Sequence, residues 1–99
     1  MNRRTKRVVD LANLFSSAPS RKELADLLEE LLTPAEKKDL VQRWKVVELL
    51  LEGRSQRKIQ KQLKISIQKV TRGSHVLQKG SGILEKVYRR LRKEDKNTP

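Results

Sequence analysis

The sequence predicts an all-α fold of six helices. Apolar residues recur at helical spacing from Val8 to Leu91, and no strand-like alternation persists anywhere. Side chains that cap helix starts stand before four of the apolar runs, at Ser20, Thr33, Ser55 and Ser66. Glycine and proline fall between runs, at Pro19, Gly53, Gly80 and Gly82.

The elements follow in order. Met1 to Arg7 is polar, carries Arg3, Arg4, Lys6 and Arg7, and reads as a flexible basic arm. From about Val8 to Phe15, Val8, Leu11, Ala12, Leu14 and Phe15 fit one helix face, which Pro19 ends. Ser20 with Glu23 makes a capping-box pattern, and Leu24, Leu27, Leu28 and Leu31 form the stripe behind it. Thr33, Pro34 and Glu36 repeat the signal as N-cap, first-turn proline and N3 acid. The third helix runs from about Pro34 to Glu52, with Leu40, Trp44, Val47 and Leu51 on one stripe, and Gly53 ends it. Ser55 caps a short helix to about Leu63, and Ser66 caps another to about Gln78. A last helix covers about Ile83 to Lys93, with Leu84, Val87, Tyr88 and Leu91 inward. One helical domain over residues 8–93 is expected, with a loose tail at 94–99.

Charge narrows the function. Twenty-four Lys and Arg oppose 12 Asp and Glu in 99 residues, a net +12. Such a balance favours a polyanionic partner, nucleic acid before an anionic membrane. No acid lies between Gly53 and Leu84, while that stretch holds Arg54, Arg57, Lys58, Lys61, Lys64, Lys69, Arg72 and Lys79. A helix that is merely solvated mixes signs to make i,i+4 pairs; one sign alone points to phosphate contact. With no cysteine and one histidine, thiolate metal sites, disulfides and His clusters are excluded. No paired carboxylates in one plausible cleft, nucleophile–base pair or phosphate loop marks an enzyme. No apolar run spans a membrane and no signal pattern opens the chain, so the expected location is the cytoplasm.

The region 56–78 reads as a helix-turn-helix. Ile59, Leu63, Ile65 and Val70 fall where two crossing helices need apolar residues, leaving Gln56, Arg57, Gln68 and Lys69 outward. Gln68 suits an adenine edge, and Lys69 a guanine or a phosphate. Lys64 stands where the turn often has glycine, and Gln60 where a small residue is usual. An ordinary helical hairpin is the alternative. Gly73 sits in mid-helix, where glycine costs about 1 kcal/mol relative to alanine. It is either a tolerated weak spot or the mark of a flat ligand or a close backbone approach.

The stretch Leu32 to Lys79 resembles the bacterial tryptophan repressor family. The matching pieces are LTPAEKKDL at Leu32 to Leu40, VVELLLEG at Val46 to Gly53, SQRKI at Ser55 to Ile59 and VTRGS at Val70 to Ser74, about half the chain. The resemblance implies a six-helix fold interlocked as a homodimer. Its fourth and fifth helices would form a double-stranded-DNA-reading head. Half-sites one DNA turn apart and water-mediated base readout are known features of that repressor, carried over as such. It also implies a transcriptional repressor with L-tryptophan as corepressor. Arg43 and Arg72 align with the arginines that sandwich the indole, Gly73 with the glycine against the ring, and Thr33 with a threonine near the ligand. Arg72 would hold the ligand carboxylate. Backbone carbonyls near Glu30 and Leu32 of the partner chain would hold the amino group. Val76 stands where the family has a serine close to that amino group, and the loop before Ser55 is one residue shorter.

The DNA-facing set implied by motif and resemblance together is Gln56, Arg57, Ile67, Gln68, Lys69 and Thr71. Each ligand residue has a plainer reading beside it. Arg43 pairs with Asp39 at i−4, Arg72 contacts phosphate, and Thr33 only caps a helix. If the ligand is needed for Gly73, Gly73→Ala is expected to stabilise the free protein slightly and weaken binding. Two other functions fit the same residues: a regulator of this fold without ligand control, which Val76 favours, and a non-specific nucleoid or RNA-binding protein.

Overall fold

The computed structural model describes residues 2–97, and side chains for residues 2–94. Those residues form six α-helices: α1 (Arg3–Ser16), α2 (Arg21–Leu31), α3 (Pro34–Leu51), α4 (Gln56–Leu63), α5 (Ile67–Lys79) and α6 (Ile83–Asn97). No strand occurs among them. The chain divides into two compact units, residues 1–38 and 39–99.

In the first unit, the helices are set by local chemistry. Asn2 caps α1: its side-chain oxygen accepts from the Thr5 N–H at 2.8 Å. This cap starts α1 at Arg3, so the segment read as an arm at 1–7 is helical from its third residue. Arg and Lys are adequate helix formers, and Lys6 pairs with Asp10 at 3.0 Å one turn on. The apolar pattern alone could not reveal that turn, because it has no apolar residue before Val8. Ser20 caps α2 by accepting from the Glu23 N–H at 3.1 Å. Thr33 and Glu36 complete a reciprocal box: Thr33 Oγ1 accepts from the Glu36 N–H at 3.1 Å, and Glu36 Oε1 accepts from the Thr33 N–H at 2.9 Å. Lys37 joins Glu29 at 2.6 Å. No residue of α1 or α2 is buried.

The second unit holds the core. Val46 and Leu49 of α3, Ile59 of α4 and Val70 of α5 are almost wholly enclosed, and Leu50, Leu63 and Ile65 pack against them. α3 ends in a Schellman motif: Gly53 adopts φ +91°, its N–H donates to Leu50 C=O at 3.0 Å, and the Arg54 N–H donates to Leu49 C=O at 3.1 Å. Ser55 and Ser66 cap α4 and α5, accepting from the Lys58 and Lys69 N–H groups at 3.2 and 3.4 Å. α6 is tied to the end of α3 by Arg92 and Glu52 at 3.6 Å, and Arg92 lies 5.4 Å from the Tyr88 ring centre.

Two expectations about packing and length are corrected here. Of the α3 stripe, Val47 is buried at 6% and Trp44 and Leu51 are half-buried, but Leu40 is 50% exposed. The most enclosed residues are Val46 and Leu49, each 2% exposed and not in that stripe. α3 carries apolar residues on both faces of its second half, so spacing alone leaves the choice of face open. α6 runs to Asn97, past the expected stop near Lys93, because no glycine or proline interrupts 94–97. Of the arm and the tail, Met1, Thr98 and Pro99 lie outside the described residues.

Candidate nucleic-acid interface and the adjoining groove

The α4–turn–α5 pair is organised by two buried side chains, Ile59 and Val70, both fully enclosed. A helix that buries one residue this way turns the opposite side outward. Arg57, Ile67, Gln68, Lys69 and Thr71 are exposed and Gln56 is half-buried. The turn between the helices is Lys64, Ile65 and Ser66. Lys64 adopts the left-handed conformation, φ 56° and ψ 48°, and its N–H donates to Gln60 C=O at 2.9 Å. That conformation is why glycine is usual here: a side chain in it costs about 1–2 kcal/mol. Gln56 and Thr71 meet across the pair, Thr71 Oγ1 standing 3.4 Å from Gln56 Oε1 while also bonding Ile67 C=O at 2.9 Å.

What separates this surface from the rest is that no acid lies along 54–83. Among the described residues, cations without an ion pair also occur elsewhere, at Arg3, Arg4, Arg7, Arg21, Lys38, Lys45 and Lys86. Among the described residues none of Arg54, Arg57, Lys58, Lys61, Lys64, Lys69, Arg72 and Lys79 makes an ion pair. The paired cations are Lys6, Lys22, Lys37, Arg43, Arg89 and Arg92, all outside the acid-free stretch. Arg54 instead reaches Gln62 at 3.1 Å, and Lys69 reaches Gln42 at 3.5 Å. An unneutralised cationic surface of this kind releases counterions when it meets phosphates.

Beside it, α3 and α5 enclose an open groove of about 340 Å³, at the small end of ligand-binding clefts. Arg43, Arg72, Gly73 and Val76 all line it, so four of the residues named for a ligand come together. Apolar lining comes from Leu40, Trp44, Val46, Val47, Ile65 and Leu84. This set suits a flat apolar ring carrying an anion. Glu30, Leu32 and Thr33 belong to the first unit, at the α2–α3 junction, where Thr33 is engaged in capping. Arg43 Nε stands 2.9 Å from Asp39 Oδ2, which is the plainer pairing expected for it.

Gly73 has a reason in the chain itself. A Cβ there would stand 2.7 Å from Val46 Cγ1 and 3.6 Å from Leu50 Cδ1. Val46 is branched at Cβ and 2% exposed, so it has little room to turn aside. The close approach of α5 to α3 therefore accounts for the glycine without a ligand. The expectation that alanine would stabilise the free protein is overturned by this contact.

A family profile described as Trp repressor protein matches residues 6–92. The chain belongs to the Trp repressor family. Its class is accordingly that of a transcriptional repressor. A Trp operon repressor homolog of Chlamydia trachomatis serovar L2 is 41% identical over 69 residues, 69% of this chain and 72% of that protein. A homolog of the same description from serovar D is 38% identical over 65 residues, 65% of this chain and 69% of that protein. The family span reaches well beyond the Leu32–Lys79 stretch that carried the resemblance, into α1 and α6. Among the described residues no helix is long and apolar enough to cross a membrane.

Sequence reasoning missed part of the groove. Asp39, Gln42 and Val46 line it with Arg43, and their spacing of three, four and seven residues from Asp39 is one helix face. That signal was present in the sequence. Lys69 was read only as a DNA contact, yet it also lines the groove from α5.

Proposed function

We propose that this chain is a homodimeric, sequence-specific DNA-binding repressor that takes L-tryptophan as corepressor. The observation that carries the DNA-binding part is the acid-free α4–turn–α5 surface, none of whose cations makes an ion pair among the described residues. In this reading α5 enters the major groove. Gln68 and Lys69 meet base edges, Arg57 meets phosphate or guanine, and Gln56, Ile67 and Thr71 complete the contact. Dimerisation is supported by the apolar side chains that one chain leaves in water, among them Val8, Leu11, Leu14, Leu40 and Val41. Two heads would then read half-sites about one turn, roughly 34 Å, apart, as is known for this family.

The corepressor part rests on the groove. Arg72 provides a fork for a carboxylate and Arg43 a planar cation for a ring face. A ligand that fits only when the heads are correctly spread shifts the population toward the DNA-binding state. By resemblance, backbone carbonyls near Glu30 and Leu32 of the partner chain would meet the ligand's amino group, and Thr33 aligns with a threonine near the ligand. A second reading, regulation without a ligand, is favoured by Val76, which lines the groove with a branched apolar side chain. Selection of DNA from a random pool, with and without L-tryptophan at fixed salt, decides between them. The corepressor reading expects a palindromic site enriched only with L-tryptophan. Equal enrichment without it supports the second reading, and no enriched site at all contradicts both.

A further inference from the structure

The groove between α3 and α5 holds three cations, Arg43, Lys69 and Arg72, and one carboxylate, Asp39. Three cations attract a carboxylate ligand but repel an ammonium group. Val76 offers no acceptor. Among the described residues Asp39 carries the only formal negative charge lining the groove, and its side chain is 40% exposed. Its Oδ2 stands 2.9 Å from Arg43 Nε. A carboxylate accepts about four hydrogen bonds, so this pair leaves it capacity for another donor.

We propose that Asp39 receives one of the three N–H donors of the amino group of a zwitterionic aromatic amino acid, beside the backbone carbonyls that resemblance assigns to that group, and that this charged bond sets the groove's preference for the zwitterion over the same ring bearing a carboxylate alone. The inference rests on the groove being the ligand site. A ring and carboxylate satisfy the apolar wall and Arg72 equally well with or without an amino group. Without Asp39 the cations would favour the des-amino acid, because its net charge is −1 while that of the zwitterion is zero. Asp39 reverses the order by pairing the ammonium and by opposing a ligand of net negative charge. Its place on the groove face of α3, one turn before Arg43, puts it beside a candidate ring-stacking residue.

The test is calorimetric titration of the full-length protein with L-tryptophan and with indole-3-propionate, which lacks only the amino group. Wild type is expected to bind L-tryptophan the more tightly, by about ten-fold, the effect of one charge-assisted bond. Asp39→Asn is expected to abolish or invert that preference, and Asp39→Ser to give the same result by a different shape. General damage to the fold weakens both ligands together and leaves their ratio unchanged, so the ratio isolates the contact. An unchanged ratio in both variants overturns the assignment of Asp39 while leaving the corepressor reading intact. Binding of neither ligand to wild type overturns both.

Discussion

Helices α1 and α2 carry an apolar stripe, as the α4–α5 pair does, yet the stripes differ in their fate. Ile59 and Val70 are wholly enclosed, whereas Val8 is 66% exposed and no residue of α1 or α2 is buried. The same contrast appears in charge. On α1 and α2 some cations, Lys6 and Lys22, pair with acids one turn on while Arg3, Arg4, Arg7 and Arg21 do not. Among the described residues none of the cations from Arg54 to Lys79 makes an ion pair, and that stretch has no acid at all. An apolar stripe specifies that something will cover it, not what. For α4 and α5 the cover is the rest of their own unit, whereas the first unit by itself buries no residue of α1 or α2. The charge pattern likewise distinguishes a surface satisfied within the chain from one left for a polyanion.

The strongest way to break this comparison is to truncate each kind of apolar residue. Ile59→Ala should destabilise by about 2–5 kcal/mol, as enclosed large-to-small changes do, and a urea transition will read it. Leu11→Ala should instead act through association, with a midpoint that depends on protein concentration more steeply than that of Ile59→Ala. A concentration-independent loss at Leu11 as large as that at Ile59 would erase the distinction between the two regions.

A smaller effect sharpens the account of the α3–α5 contact. Gly73→Ala should destabilise, because overpacking at Val46 costs about 1–3 kcal/mol and the helix gain returns only about 1 kcal/mol. The pair Gly73→Ala with Val46→Ala should show a favourable coupling energy in a double-mutant cycle, since the second change removes the Cγ1 atom that the first would meet at 2.7 Å. Additive effects would mean that this contact does not dictate the glycine.

Smaller still is the turn. Lys64→Gly should stabilise by about 0.5–1 kcal/mol, relieving a left-handed lysine at φ 56° against the entropy of glycine. Thermal unfolding measures it. Because Lys64 is also one of the unpaired cations, the same variant should lose some DNA affinity as it gains stability. A loss of both would point to a turn whose side chain packs, which its exposure argues against.

Much of this was legible in the sequence because it is local. The caps at Ser20, Thr33, Ser55 and Ser66, the stop at Gly53 and the acid-free run each involve residues within a few positions of one another. Four groove residues were also named correctly as neighbours, through their resemblance to a family and not through spacing. What was not legible depends on tertiary choice. The second half of α3 is apolar on two faces, and the core takes Val46 and Leu49 as well as the expected Val47 while leaving Leu40 exposed. The sequence leaves three readings of Gly73 open, because the approach of α3 that decides among them cannot be seen in a one-dimensional pattern. The first turn of α1 was missed because its signal is a single asparagine followed by charged residues.

The central claim is that the unpaired cations of the α4–turn–α5 surface meet phosphate while the paired cations elsewhere do not. Its direct test is the salt dependence of DNA affinity for wild type, Arg57→Ala and Lys22→Ala. Removing a phosphate contact should lower affinity and reduce the slope of log K against log salt by about 1. Arg57→Ala should do so, and Lys22→Ala, whose charge is already joined to Asp26 at 3.0 Å, should leave the slope unchanged. Equal slopes for wild type and Arg57→Ala, or an equal loss from both substitutions, would contradict the assignment of this surface to DNA.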